Sequence, residues 1–158
     1  MQINESSSPL LEAAVLVSRV LASLAARSLA EVTDEVTMAQ YRTLVILDSR
    51  GSQNLANLAE ALGVTPATAT RMCDRLVAKQ LIIRQPQEED RRHVHLEVTA
   101  KGRRLVSGVT AWRRRETRSI AGRLSAQEQA SLSNALRRFS DVVDAAPEQD
   151  WSVGWDFR

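Results

Sequence analysis

Two groups of arginine residues have the side-chain type and the spacing that nucleic-acid binding requires. Arg71 and Arg75 are four residues apart, so on a helix they would project from the same face. Arg91 and Arg92 follow Asp90 in a short, highly charged segment. A guanidinium group can bind a guanine edge or a phosphate through two parallel hydrogen bonds. Either group, taken alone, could also be an ordinary solvated surface.

The distribution of charge along the chain favours the nucleic-acid interpretation. The net charge over all 158 residues is only +2. Residues 61–123, however, contain fourteen Lys and Arg against six Asp and Glu, whereas residues 1–60 and 124–158 each have a net charge of −3. A basic middle between acidic ends is typical of a protein that binds phosphates in its central part.

A helix-turn-helix over residues 54–80 would position the first arginine pair. Its first helix has apolar residues at helical spacing, followed by Gly63 for a left-handed turn, and then Thr65 and Pro66 to cap and begin the second helix. The second helix is predicted to bury Ala69, Met72, Cys73 and Leu76. Its opposite face then carries Ala67, Arg71, Asp74, Arg75 and Ala78, with Thr68 and Thr70 at the edges. This order of elements is typical of a DNA-binding motif.

The segments around this motif predict a mainly α fold with a small β-wing. After residue 80 the apolar spacing changes to the period of a strand, at residues 81–83 and again at 94–98, with a charged loop between them. We therefore predict a winged lobe at residues 37–98. Two helical arms, at 8–31 and 99–146, flank it, and an aromatic tail follows at 147–158. Capping residues support these bounds: Ser8 with Pro9, Thr37 with Gln40, Thr99, and Ser125 with Glu128.

The helical arms have more apolar surface than a small winged lobe can cover. The first helix carries apolar residues on a broad stripe, and the last helix has a second stripe. A second copy of the chain is the simplest cover for such surface. We therefore predict a homodimer, in which Leu132, Leu136 and Phe139 contribute to the contact.

In this order of elements the chain resembles the MarR family of bacterial transcription regulators, over roughly Leu10 to Val143. The resemblance is carried by two segments, LAEALGVTPATATRMCDRLVAKQLI and EEDRRHVHLEVTAKG. It implies a dimer built from the terminal helices, a recognition helix in the major groove and a wing in the minor groove. It also implies that Arg92 reads the minor groove and that Asp90 orients it. One departure is Gln80, where the family usually has Gly.

These observations define the predicted interface with double-stranded DNA. In the recognition helix the candidate residues are Thr65, Pro66, Ala67, Thr68, Thr70, Arg71 and Arg75. In the wing they are Asp90, Arg91 and Arg92. We interpret the chain as a sequence-specific regulator, a repressor that binds a pseudo-palindromic operator. The alternative is a protein–protein interaction module that uses a winged dimer without specific DNA binding.

A small aromatic or apolar effector is suggested by the resemblance alone. It would fit where the first, second and fifth helices meet the winged lobe, near Tyr41 and Trp112, although both residues could simply fill the core. The run from Trp112 to Arg115 could be a second DNA-binding patch or a solvated helix face. Cys73 falls on the buried stripe, which favours an inert core residue over a redox switch.

No metal, cofactor or enzymatic activity is expected. His93 and His95 would share one strand face, but no cysteine or clear carboxylate pair completes a ligand set. No nucleophile–base constellation or phosphate-binding loop stands out. The single cysteine fits a reducing cytoplasm. We also expect no membrane partner, because no apolar run approaches the length of a span.

Overall fold

The structure is a computed structural model that describes residues 8–86 and 94–144. In order along the chain, its elements are α1 (Pro9–Ala30), α2 (Met38–Arg50), β1 (Gln53–Asn54), α3 (Leu55–Leu62), α4 (Pro66–Ala78), β2 (Ile82–Pro86), β3 (Val94–Val98), α5 (Ala100–Ala121) and α6 (Ala126–Asp144). The predicted fold class, mainly α with a small winged sheet, is confirmed.

The winged lobe has a closed core made from helices on one side of a small sheet. The largest fully buried side chains come from every layer: Leu44, Leu47, Leu58, Leu76, Leu81, Ile82, Leu96 and Val109. The last of these belongs to α5, so the first half of this helix packs on the lobe. The buried stripe predicted for α4 is confirmed, because all four of its residues are buried.

The sheet has three antiparallel strands in the order β1-β3-β2. Strand β1 was not predicted, since two polar residues carry no alternating pattern; Gln53 pairs with Leu96 and Asn54 with His95. Strand β2 was predicted to end at Ile83 but continues to Pro86, paired with β3 throughout. This extension brings further polar residues of β2 beside α4.

The caps that the sequence predicts begin most of the helices. Both capping boxes form: Thr37 with Gln40 at 3.3 and 3.1 Å, and Ser125 with Glu128 at 3.3 and 2.8 Å. Ser8 lies at the N-cap of α1, but its side chain makes no capping hydrogen bond. There the first turn is closed by backbone hydrogen bonds to the Ser8 carbonyl.

The start of α5 is packed against the end of the recognition segment. Thr99 caps α5 by accepting a hydrogen bond from the Gly102 amide at 3.1 Å, and the Thr99 hydroxyl also donates to the Gln80 carbonyl at 2.8 Å. A Cβ atom at position 102 would meet the carbonyl oxygen of Leu81 and, at 2.6 Å, a methyl group of Val98. The glycine is therefore required by close approach of two backbones.

The apolar residues of the helical arms are largely exposed in the single chain. On α1 these are Leu10, Leu11, Val15, Leu16, Val17, Val20 and Leu21. On α6 they are Leu132, Leu136, Phe139 and Val142. The sequence places Ile120 on the same side of α5 as Val109 and Trp112, which are buried, but Ile120 itself is 47% exposed near the end of the helix. By that point α5 has passed beyond the winged lobe.

Helix α1 corrects the expectation that nothing in the chain approaches a membrane span. By length and composition this 22-residue helix is apolar enough to cross a bilayer, because an 18-residue window within it has a mean hydropathy of 1.6. It carries only three charged residues, Glu12, Arg19 and Arg27, which interrupt the run without making the helix polar. Core helices of soluble proteins reach the same length and hydropathy, so these properties are shared by core helices and membrane-spanning helices.

Several predictions concern residues outside the described ranges. They include the wing residues Asp90, Arg91 and Arg92, one member of the His93/His95 pair, and the aromatic tail at 147–158.

Candidate nucleic-acid interface

The recognition helix α4 presents the polar face that its sequence predicts. Arg71, Asp74 and Arg75 are exposed, as are Ala67 and Ala78, and the buried stripe lies on the other side. Arg71 and Arg75 are separated by one helical turn, so both guanidinium groups leave the same face. Such a pair can bind base edges in the major groove or the phosphates beside it.

The first turn of α4 is fixed by hydroxyl groups. Thr65 accepts a hydrogen bond from the Thr68 amide at 3.2 Å, and the two hydroxyls lie 3.0 Å apart. Thr70 donates to the Pro66 carbonyl at 2.8 Å. Pro66 is the first residue of the helix, where its missing amide hydrogen breaks no hydrogen bond. Thr65, Pro66 and Ala67 are exposed, so this turn is open to a ligand.

An ion pair that sequence reasoning missed joins the recognition helix to the wing. A side-chain nitrogen of Arg84 on β2 lies 2.6 Å from a carboxylate oxygen of Asp74 on α4. Both side chains are about half exposed, so the pair contributes little to stability, roughly 0–1 kcal/mol. Its geometric effect is clearer, since it holds a third guanidinium group, that of Arg84, on the face of α4 that carries Arg71 and Arg75. The extension of β2 beyond Ile83, which the sequence pattern did not predict, is what brings Arg84 there.

The C-terminal end of α4 is tied to both neighbouring segments. Lys79 donates to the Glu35 carbonyl in the α1–α2 connection and lies 3.5 Å from the Gln40 amide oxygen. Lys101 of α5 donates to the Lys79 carbonyl at 3.1 Å and pairs with the Glu35 carboxylate at 3.6 Å. Gln80 follows with φ +59°, the left-handed conformation that a glycine adopts more easily. The departure noted in the sequence therefore falls on a residue with strained backbone.

Cys73 is buried on the inner side of α4, and its thiol is in the unreactive protonated form at neutral pH. Burial raises the pKa of its thiol from 9.0 to about 11, and the nearby guanidinium group of Arg84 lowers it only in part. Because the thiolate is the reactive form, this thiol is protonated at neutral pH. The environment matches the prediction of a core residue.

Tyr41 and Trp112 lie where α1, α2 and α5 meet, and the face of each ring is covered by an arginine. Arg113 lies 5.4 Å from the centre of the Tyr41 ring and donates to the Ser28 hydroxyl at 2.8 Å. Arg27 of α1 lies 5.6 Å from the centre of the Trp112 ring. Burial raises the pKa of Tyr41, and the positive charge of Arg113 opposes this shift. Both aromatic side chains are buried, so an effector there would have to displace these contacts.

His95, the described member of the histidine pair, lies beside a hydroxyl group. Its Nδ1 atom is 3.1 Å from the Ser52 hydroxyl oxygen. Within residues 8–86 and 94–144, no group of three His, Cys, Asp or Glu side chains could hold a metal ion.

Comparison with known proteins identifies the class to which this fold and interface belong. The MarR family matches residues 36–94. The transcriptional repressor NicR of Pseudomonas putida is 31% identical over 112 residues, 71% of each chain. Among solved structures, RV1404 from Mycobacterium tuberculosis has a TM-score of 0.80 and 39% identity, over 89% of this chain and 97% of that one. A mutant of S. aureus MepR, solved bound to an oligodeoxyribonucleotide, has a TM-score of 0.69 and 21% identity, over 87% and 99%.

The fold and the exposed recognition helix are those of a winged helix-turn-helix protein. The chain belongs to the MarR family of DNA-binding transcription regulators, and it is not an enzyme. The family resemblance drawn from the sequence is confirmed.

Proposed function

We propose that the protein is a cytoplasmic repressor that binds a pseudo-palindromic operator as a homodimer and is released by a small effector. In this proposal α4 enters the major groove and the wing enters the adjacent minor groove. Arg71 and Arg75 contact bases or phosphates, while Thr65, Pro66, Ala67, Thr68 and Thr70 contact the backbone or base edges. Asp90, Arg91 and Arg92 form the minor-groove contact.

The observation that carries the DNA interface is the face of α4. Two exposed arginines one turn apart flank an aspartate, and that aspartate holds a third arginine from β2. The first turn adds an open row of hydroxyl and amide groups that can bind phosphate. This arrangement lies in the region of the sequence with the highest positive charge.

The dimer is supported by the exposed apolar surface of the helical arms. Leu136 is 50% exposed and Phe139 is 62% exposed on α6, and the first half of α1 is apolar on most of its circumference. Monomeric soluble proteins rarely expose apolar surface continuously over two helices. A second copy would cover both helices, which also accounts for the apolar character of α1 without a membrane.

Repression and effector release are supported only by membership of the MarR family and by similarity to its known members. NicR is by name a transcriptional repressor, and it aligns with 71% of this chain. Tyr41 and Trp112 remain the proposed effector contacts, at the junction of the helical arms with the winged lobe. A small aromatic or apolar ligand there would compete with the stacked Arg113 and Arg27.

The test is selection of bound duplexes from a random-sequence library by the full chain. We expect enrichment of a pseudo-palindrome whose half-sites lie one helical turn apart, ~10 bp. A salt titration on the enriched duplex should give a steep loss of affinity, because each phosphate neutralised releases counterions. Failure to enrich any sequence, together with a shallow salt dependence, would contradict the proposal and favour the protein–protein module.

A further inference from the structure

The ion pair between Asp74 and Arg84 lies where the recognition helix and the wing diverge. Asp74 is exposed on α4, and Arg84 is on β2, two residues before this strand ends at Pro86. The charged loop of the predicted wing, residues 87–93, follows directly. The DNA interface proposed above gives Arg84 no contact of its own.

The alternation of side chains along β2 explains why Arg84 reaches α4. Arg84 shares a strand face with Ile82, because successive side chains point to opposite faces. Ile82 is only 1% exposed and belongs to the core that the α4 stripe also enters. Arg84 lies two residues further along, beyond the edge of that core, and is 41% exposed. Its position therefore brings a cation to the rim of the recognition helix.

Asp74 holds Arg84 without exhausting its capacity to bind a second anion. One nitrogen of the guanidinium group lies 2.6 Å from a carboxylate oxygen of Asp74. A guanidinium group carries five N–H donors, whereas one carboxylate accepts at most a parallel pair of them. The remaining donors of Arg84 can therefore face an anion that approaches from solvent while the contact with Asp74 persists.

The charges on this face favour an anion as the additional ligand. Asp74 is the only acidic residue of α4, and Arg71, Arg75 and Arg84 surround it, so these four side chains carry a net charge of +2. A protein with a helix in the major groove and a wing in the adjacent minor groove must straddle the phosphates that separate the two grooves. Arg84 lies between those two elements of the protein.

We propose that Arg84 binds a DNA phosphate on the strand that separates the two grooves, and that Asp74 is the positioning residue for this contact. The inference rests on the proposed function, because it requires α4 to lie in the major groove. A phosphate contact at this point fixes the register of the protein on the duplex without reading a base. Because Asp74 restrains the guanidinium group in advance, less side-chain freedom is lost when DNA binds.

The first experiment compares Arg84→Gln with the wild type in a salt titration, with the full chain and the duplex selected from the random library. The variant should bind about tenfold more weakly per half-site, since it loses a charge-assisted hydrogen bond. The slope of log affinity against log salt concentration should become shallower by about 2 for a dimer, one phosphate per half-site. Base preference should stay that of the wild type.

Two further variants control for charge and folding. Arg84→Lys keeps the positive charge and should retain the wild-type salt slope, although it loses affinity because the planar fork is gone. Arg138→Gln removes one exposed arginine from α6 and should leave both slope and affinity unchanged. The melting temperature of each variant should match that of the wild type, because the exchanged side chains are exposed or half exposed.

A double-mutant cycle tests the positioning role of Asp74. Asp74→Asn removes a negative charge, so binding to a duplex of unselected sequence should strengthen. Specific binding should gain less, because Arg84 is no longer held, and the ratio of specific to non-specific affinity should fall. In the Arg84→Gln background, Asp74→Asn should leave that ratio unchanged. A merely structural role of the pair would not produce this dependence on Arg84.

The outcomes separate this inference from the proposed function. A wild type that enriches no sequence and shows a shallow salt dependence would overturn both. If the wild type selects a pseudo-palindrome and Arg84→Gln keeps the wild-type salt slope, the inference alone is overturned. A changed base preference in Arg84→Gln would make Arg84 a base contact and overturn the phosphate assignment. Equal effects of Asp74→Asn on the affinity ratio in both backgrounds would show that Asp74 acts independently of Arg84.

Discussion

The apolar side chains of the winged lobe are buried within the single chain, whereas many of those on the helical arms are exposed. In the winged lobe, Leu44, Leu58 and Leu76 have no exposed surface, and helices and sheet cover one another. On the helical arms, Leu136 and Phe139 remain at least half exposed in the single chain. The lobe therefore has the features of a unit that can close its own core. The helical arms have the features of a surface that a second chain covers. Mutations in the two regions should therefore have different effects.

Leu136→Asp tests the helical arms and should have the largest effect. An aspartate on the apolar stripe of α6 would be buried unpaired in a dimer contact, at a cost of several kcal/mol. We expect the variant to lose both the dimer and operator binding, while weak non-specific DNA binding persists. Sedimentation at micromolar concentration and binding to the selected duplex are the measurements.

The matched control is Asn134→Asp, which adds the same charge on the opposite side of α6. It should remain a dimer. A folded wild-type monomer that still recognises one half-site specifically would contradict the dimeric architecture.

Arg71→Ala tests the winged lobe in the complementary way, because it should weaken DNA recognition without changing the dimer. The expected loss is ~1–3 kcal/mol per half-site, with relaxed base preference at the contacted position. Selection from the random library measures both. Arg138→Ala, which removes one exposed arginine from α6, is the control for net charge. If the duplexes selected by Arg71→Ala show the same base preference as those selected by the wild type, Arg71 does not read a base and contacts a phosphate at most.

Gly102→Ala probes the junction where the helical arms join the winged lobe. The added methyl group would overlap the Leu81 carbonyl and the Val98 side chain, so we expect a loss of ~1–3 kcal/mol or more in the free energy of unfolding. Gly108→Ala is the control, because its Cβ would approach only the end of the Val32 side chain, at 3.3 Å. Chemical denaturation should separate the two variants. Equal stability would show that the junction can relax.

The sequence predicted most of the winged lobe because its signals are local. The turn at Gly63, the cap at Thr65 and the buried stripe of α4 all follow from residues a few positions apart. The pair between Asp74 and Arg84 does not, since these residues are ten positions apart on two different elements and meet only through the register of β2. A pattern of apolar spacing carries no information about such polar contacts. The two-residue strand β1 was missed for the same reason, because it exists only through its pairing with β3.

The helical arms show a second limit of sequence reasoning. Apolar spacing indicated correctly that α1 has a broad apolar stripe and α6 a second stripe, but not which part of each stripe the chain itself covers. The same limit applies to Tyr41 and Trp112. Their burial could be predicted from the sequence, but the arginines that cover their rings could not.

The buried thiol of Cys73 provides a test of whether the winged lobe closes its own core. Its pKa is raised in the folded state from 9.0 to about 11, so folding favours the protonated thiol. Its contribution to stability is therefore constant below about pH 9 and is lost as the pH rises from there to about 11. At pH 10 the loss is about 1 kcal/mol.

The measurement is the difference in unfolding free energy between the wild type and Cys73→Ala, from pH 8 to pH 11. The difference should shrink as the pH rises, because the alanine variant has no thiol to ionise. The native thiol should also react far more slowly with iodoacetamide at pH 7.5 than the thiol of the unfolded chain. Equal rates would mean that the lobe opens readily around α4.

Gln80→Gly should have the smallest effect, and it is confined to the backbone of the winged lobe. With φ +59°, Gln80 adopts a conformation that costs a residue with a Cβ atom about 1–2 kcal/mol. Glycine removes that cost but loses about 0.5–1 kcal/mol through the greater freedom of the unfolded chain. The net gain in the free energy of unfolding should therefore be ~1 kcal/mol or less, measured by thermal or chemical denaturation, with no change in the dimer. Gln80→Ala retains the Cβ atom and should gain nothing. If alanine stabilises as much as glycine, the cost lies in the glutamine side chain and not in the left-handed backbone that ends the recognition segment.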